Sequence, residues 1–93
     1  MGVRQRWTAI DHLCETASRI GNIEIWVFGS ALRVDSPSDL DALAIYIERR
    51  DILRLRDAEL WELLHPPVDL IAMTRAEESE LEFISGTSAI RIL

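Results

Sequence analysis

The sequence predicts a small α/β domain of the α+β kind, a mixed β-sheet covered by helices, and three observations carry the prediction. Apolar runs of strand length, Ile23–Phe28, Leu40–Ile47 and Val68–Met73, alternate with longer amphipathic stretches. Turn-forming clusters punctuate the changes: Gly21-Asn22, Asp35-Ser36-Pro37-Ser38 and His65-Pro66-Pro67. The chain has 93 residues, 48% of them hydrophobic, enough for one domain spanning 1–93 with a single core. The expected order is α-β-(α)-β-α-β-α, without repeats, linkers or low-complexity tracts.

The first helix is expected from about Arg4 to Ile20. Ile10, Leu13, Cys14, Ala17 and Ile20 recur every three or four residues and give it one apolar face. Gly21-Asn22 stops it. Ile23–Phe28 is rich in β-branched and aromatic residues and too continuously apolar for a one-sided strand, so it reads as central and covered on both faces. A short helix is expected over Ser30–Arg33, before the polar loop and the second strand. Arg50–Leu64 reads as a long helix whose stripe is Ile52, Leu53, Leu60, Trp61, Leu63 and Leu64, interrupted at Arg56-Asp57. Pro66 and Pro67 end it. Val68–Met73 is the third strand. Thr74-Arg75-Ala76-Glu77 has the form of a capping box and opens a last helix to about Ser85. The tail GTSAIRIL is compatible with strand or helix, and strand is the preferred reading.

Charge and composition narrow the function. A net charge of −6 argues against nonspecific binding to nucleic acid, which needs basic surface. All ten basic residues are arginine, which excludes any mechanism that needs a lysine. Cys14 is the single cysteine, so no internal disulfide is possible, in keeping with a reducing compartment. The first residues contain no long apolar run, so neither a signal peptide nor a membrane span is expected, and the cytoplasm is the expected location. His12 and His65 have no cysteine near them and suggest no zinc site. Trp26, Trp61 and Tyr46 read as packing residues, Cys14 as inert, and Trp7 as a candidate interface residue.

Three carboxylates stand out at or inside apolar strands: Asp39, Asp41 and Asp69. Asp39 and Asp41 are two apart and project from the same strand face. Adjacent carboxylates repel, and a cation between them is the usual compensation. Asp39 after Ser38 is equally compatible with a turn residue. Asp41 before ALAIYI and Asp69 within VDLIAM are less easily explained, because burying an unpaired carboxylate is costly. Upstream, the Gly29-Ser30 turn offers backbone N–H groups and a hydroxyl to phosphate oxygens. Arg33 is either a further phosphate contact or a partner for Asp35.

An apolar strand ending in Gly-Ser, Asp-x-Asp nine residues after Ser30, and a third carboxylate in Val68-Asp69-Leu70 resemble the DNA polymerase β-type nucleotidyltransferase superfamily. The short chain is similar to its minimal nucleotidyltransferases, and the resemblance covers nearly all of it. Ala31 stands where many relatives carry Arg, and Val34-Asp35 where a glycine is common. The resemblance implies catalytic, metal-holding Asp39, Asp41 and Asp69 with two Mg²⁺ ions. It implies nucleotide contacts from Gly29, Ser30 and Arg33, with ATP or another NTP as substrate. It further implies an antitoxin of a toxin–antitoxin pair, which transfers AMP to a HEPN-type helical partner. Two other classes stay open at this stage. One is a non-catalytic binding module that neutralises its partner by occupancy. The other is a stand-alone enzyme acting on a small molecule such as an aminoglycoside.

Overall fold

The computed structural model describes residues 2–58 and 60–93, apart from the side chains of Leu60 and Glu62. Helices α1 (Val3–Arg6) and α2 (Thr8–Ile20) lead into strand β1 (Ile23–Phe28) and a 3₁₀ turn over Gly29–Leu32. Strand β2 (Leu40–Tyr46), helix α3 (Arg49–Ala58) and a second 3₁₀ turn (Leu60–Leu63) follow. The chain continues through β3 (Val68–Thr74), α4 (Arg75–Leu81), α5 (Phe83–Thr87) and a two-residue strand β4 (Ile90–Arg91). The sheet has the order β3-β2-β1-β4. β1 runs antiparallel to β2 and β4, and β2 runs parallel to β3. The parallel pair needs a crossover, which α3 and the second 3₁₀ turn supply.

Strand alternation divides the core into two layers. Ile23, Ile25 and Val27 of β1, with Leu40, Ala42 and Ala44 of β2, pack under Ile10, Leu13, Cys14 and Ala17 of α2. Ile52 and Leu55 of α3 and the fully buried Trp61 complete that layer. On the other face Leu43, Ile45 and Met73 pack with Trp26, Phe28, Phe83 and Ile84. β1 and β2 are therefore covered on both sides, as the continuous apolar character of Ile23–Phe28 predicts for β1. Complete burial of side chains such as Leu13, Ile25 and Leu43 contributes about 1.5–3 kcal/mol each.

The expected helix boundaries hold at some ends and move at others. Gly21 (φ 87°) and Asn22 (φ 58°) end α2, and the Gly21 N–H donates to the Ala17 carbonyl at 2.9 Å. The capping box forms: the Glu77 N–H donates to Thr74 Oγ1 at 3.2 Å, and the Thr74 N–H to Glu77 Oε1 at 2.9 Å. The first predicted helix, however, breaks at Trp7, which is extended (φ −121°, ψ 118°). The break turns Trp7 against the main core, where it is partly buried. Across it, Arg4 Nε donates to Asp11 Oδ1 at 2.9 Å.

The second long helix also divides. α3 ends at Ala58, Glu59 lies outside the described residues together with the Leu60 side chain, and the chain resumes as a 3₁₀ turn. That turn has three residues per turn rather than 3.6, which changes the phase of the stripe. Trp61 is carried inward while Leu63 is left 84% exposed, and Leu53 of α3 is exposed as well. Asp51 is buried in the first turn of α3, where the positive end of the helix favours a carboxylate. The last helix divides at Glu82 (φ 50°). Beyond this kink Phe83 meets Phe28 edge-on, with centroids 5.0 Å apart and planes at 88°. In the tail, Gly86 and Thr87 belong to α5, and only Ile90–Arg91 is strand, adding a fourth strand to the expected order. Glu24 of β1 ties these later elements down: it pairs with Arg75 of α4, lies 3.9 Å from Arg91 of β4, and accepts from Trp26 Nε1 at 3.1 Å. Among the described residues no helix is long and apolar enough to cross a membrane.

Candidate active site

Strand direction brings the three carboxylates together. Because β1 and β2 are antiparallel, Phe28 at the end of β1 faces Asp41 at the start of β2. Because β2 and β3 are parallel, the start of β3 comes to the same sheet end, and Asp41 pairs in register with Asp69. Side chains in one row across a sheet share a face, so Phe28, Asp41 and Asp69 stand side by side. Asp39, two residues before Asp41, reaches the same point from the loop. One carboxylate oxygen from each of Asp39, Asp41 and Asp69 lies within 4.8 Å of the others.

The electrostatics of this trio are unfavourable without a cation. Each ionised pair at such a separation costs roughly 3 kcal/mol at an effective dielectric of about 20, less where solvent screens the charge. The ion pairs of the described residues lie elsewhere: Arg4 with Asp11, Arg6 with Asp35, Arg50 with Glu48, Arg75 with Glu24 and Glu78, and Arg91 with Glu24. Asp41 accordingly has its carboxyl pushed above the ordinary range, first by burial and then by the charges of Asp39 and Asp69. Three hard oxygen donors converging without a counter-charge are a donor set that suits Mg²⁺. The residues present therefore fit the metal that the sequence implied.

Burial corrects one part of the sequence reading. Asp69 is exposed, although its run of apolar neighbours suggested an interior carboxylate. α4 and α5 cover Met73 at the far end of β3 but leave Asp69 open and Ile71 37% exposed. The desolvation penalty thus falls on Asp41, which is half-buried, and not on all three.

The Gly29-Ser30 turn lies directly against this cluster. Gly29 has φ +73°, and a Cβ built there would stand 3.3 Å from Asp41 Cγ and closer still to Oδ2. Glycine is required twice over, by the left-handed backbone and by the neighbouring carboxylate. Ala31 is buried and anchors the turn, while the Ser30 carbonyl accepts from the Arg33 and Val34 N–H groups at 3.0 and 2.9 Å. The opening N–H groups of a helical turn have no partner within it. Arg33 is exposed and makes no ion pair among the described residues. Its alternative role as a partner for Asp35 is not seen, because Asp35 faces Arg6 at 3.4 Å.

No family model, curated protein or solved structure matches this chain.

Of two cavities beside the sheet, one lies against the Gly29 turn that abuts Asp41. A cavity of about 590 Å³ beside Ile23, Tyr46, Arg75 and Arg91 opens at the opposite end of β1 and β2. With five strand steps from Ile23 to Phe28, it is about 16 Å away. The second, about 640 Å³, is bounded by Phe28, Gly29 and Arg33 on one side and Gly86, Thr87 and Ser88 on the other. This second wall was not legible beforehand, because a tail read as strand does not bring Gly86–Ser88 to the Gly29 turn. His12, His65 and Tyr46 take no part in the cluster, and Cys14 is fully buried with its thiol pushed up to about 11 by desolvation.

Proposed function

We propose that this chain is a Mg²⁺-dependent nucleotidyltransferase that moves AMP from ATP to an acceptor hydroxyl. The observation that carries the reading is the in-register pairing of Asp41 with Asp69, with Asp39 in reach, beside a Gly-Ser turn of left-handed backbone. Asp39 and Asp41 would hold two Mg²⁺ ions between them, and Asp69 the ion on the acceptor side. When bound, the metal supplies a seat for phosphate oxygens and lowers the pKa of the attacking hydroxyl.

The chain's own residues do the rest. The Gly29-Ser30 turn orients the β- and γ-phosphates through N–H groups and the Ser30 hydroxyl, and Arg33 adds a fixed charge that neutralises the departing pyrophosphate. The acceptor oxygen forms a bond to the α-phosphorus, the bond from that phosphorus to the bridging oxygen breaks, and pyrophosphate leaves. The hydroxyl proton passes to solvent or to a carboxylate at the site.

The proposed acceptor is a HEPN-type helical protein, with the chain acting as its antitoxin, and the proposed location is the cytoplasm, where a lone reduced thiol is usual. The resemblance described from the sequence supports this pairing, and the open position of Asp69 supports an acceptor that arrives from outside the domain. The test incubates wild type and Asp69→Asn with ATP, Mg²⁺ and the product of the neighbouring gene as candidate acceptor, and weighs that product by mass spectrometry. Addition of AMP by wild type and its loss by orders of magnitude in Asp69→Asn, with ATP binding retained, is the expected result. Neutralisation of the candidate acceptor by both forms without any mass change would instead favour a binding module.

A further inference from the structure

We infer that the C-terminal turn of α5, through Gly86, Thr87 and Ser88, is the sugar-binding wall of the donor site and that Gly86 sets its width. The inference rests on the nucleotidyl-transfer reading and adds to it the place where the sugar of the donor is held. Gly86 is the observation that leads there. It lies inside α5, where glycine is disfavoured because of the backbone freedom it loses. Its φ is not left-handed, and an added Cβ would meet nothing within 4 Å. Neither backbone conformation nor packing within the fold calls for glycine at this position. What the glycine does provide is space, on the wall of a cleft whose other side is the Gly29 turn.

That cleft, about 640 Å³, is within the size range of small-molecule sites. Gly29 lines it and its backbone also abuts Asp41, so the cleft lies next to the carboxylate cluster although no carboxylate lines it. Its two walls differ chemically. The Gly29–Arg33 wall offers a cation and turn N–H groups, which suit phosphate. The opposite wall is the end of the short helix α5, where the Ile84 and Ser85 carbonyls already accept from Ser88 and Ala89 but those of Gly86 and Thr87 accept no backbone hydrogen bond among the described residues, so this wall offers acceptors to hydroxyl donors and no cation to phosphate. Thr87 already donates its hydroxyl to the Phe83 carbonyl at 2.7 Å, leaving its oxygen as an acceptor. Ser88 is exposed, and its hydroxyl has no protein partner among the described residues. A ribose between these walls places its hydroxyls against acceptors and its phosphates against Arg33, and a deoxyribose offers one donor fewer.

The experiment is calorimetric titration of ATP and of dATP, each with Mg²⁺, into the full chain as wild type, Gly86→Leu and Ser88→Gly, with melting curves for all three. Wild type is expected to bind ATP about fivefold more tightly than dATP, the value of one hydrogen bond. Gly86→Leu should weaken ATP binding by about tenfold or more while melting no lower than wild type. Ser88→Gly, which suits the left-handed φ of 55° at that position, should keep dATP affinity and lose the preference for ATP. A folded Gly86→Leu that binds ATP like wild type overturns the inference but leaves the nucleotidyl-transfer reading standing. Equal binding of ATP and dATP by wild type overturns the sugar assignment in the same way. A wild type that binds neither nucleotide removes both readings together. Should Gly86→Leu fail to fold, the ATP-to-dATP ratio of Ser88→Gly decides by itself.

Discussion

Replacing Gly29 with alanine separates the stability of the fold from the integrity of the carboxylate cluster. The backbone there has φ +73°, and an L-residue held in the left-handed region costs about 1–2 kcal/mol. Alanine also loses less freedom on folding than glycine, which returns about 0.4–1 kcal/mol, so the net backbone cost is about 1 kcal/mol. In a domain of this size that lowers Tm by about 4–8 °C. The second effect is local. The new methyl would stand 3.3 Å from Asp41 Cγ and nearer to Oδ2, so the carboxylate must turn away. Rotation about the terminal bond of aspartate is soft, and this adds little to the stability loss. It does, however, remove an oxygen from the cluster that it shares with Asp39 and Asp69. Metal affinity should fall by about 10–100-fold, the usual effect of disturbing what orients a ligand. The assay is thermal unfolding in EDTA, followed by calorimetric titration with Mg²⁺. In an Asp41→Ala background the same Gly29→Ala change should retain the backbone cost while the further loss of metal affinity disappears. A Gly29→Ala protein with unchanged Tm and unchanged Mg²⁺ affinity would refute both the backbone reasoning and the contact reasoning.

Two more outcomes follow from the protonation chemistry. The carboxyl of Asp41 is raised in the folded protein relative to its ordinary value of 3.8, so between the two values the native state holds the proton more tightly. Metal-free protein should therefore lose stability as pH rises from 3.8 through the folded pKa of Asp41, and the penalty is fully present above it. Asp41→Asn should melt higher than wild type at neutral pH in EDTA, lose this part of the pH slope, and show a smaller Mg²⁺-induced rise in Tm, which melting curves across pH would measure. An equal Mg²⁺ shift in both proteins would count against the metal site. The Cys14 thiol is buried and pushed up to about 11, so it should stay unreactive towards a disulfide reagent at pH 8 and react at once in denaturant. Rapid labelling of the native protein would show that α2 opens far more readily than its packing suggests.

The sequence by itself determined the sheet and its helical cover. Strand-length apolar runs have few alternatives to burial, and β1 spans the predicted Ile23–Phe28. Gly21-Asn22 and Thr74-Glu77 end and begin helices through local chemistry that acts within a few residues, so those boundaries were legible. The same holds for the identity of the carboxylates, because Asp39, Asp41 and Asp69 interrupt otherwise apolar text. Tertiary structure decided what depends on residues distant in the chain. The breaks at Trp7 and Glu82 accompany side chains that pack against partners far away in sequence, Trp7 in the main core and Phe83 on Phe28. Whether Arg33 would meet Asp35 depended on Arg6, 29 residues away from Asp35 and brought beside it only by the fold. The exposure of Asp69 depends on how far α4 and α5 extend over β3, which no local pattern encodes. The carboxylate cluster itself combines both sources. Spacing placed Asp39 beside Asp41, but only the parallel pairing of β2 with β3 brought Asp69 opposite Asp41, because strand direction and register are set by the crossover and the core.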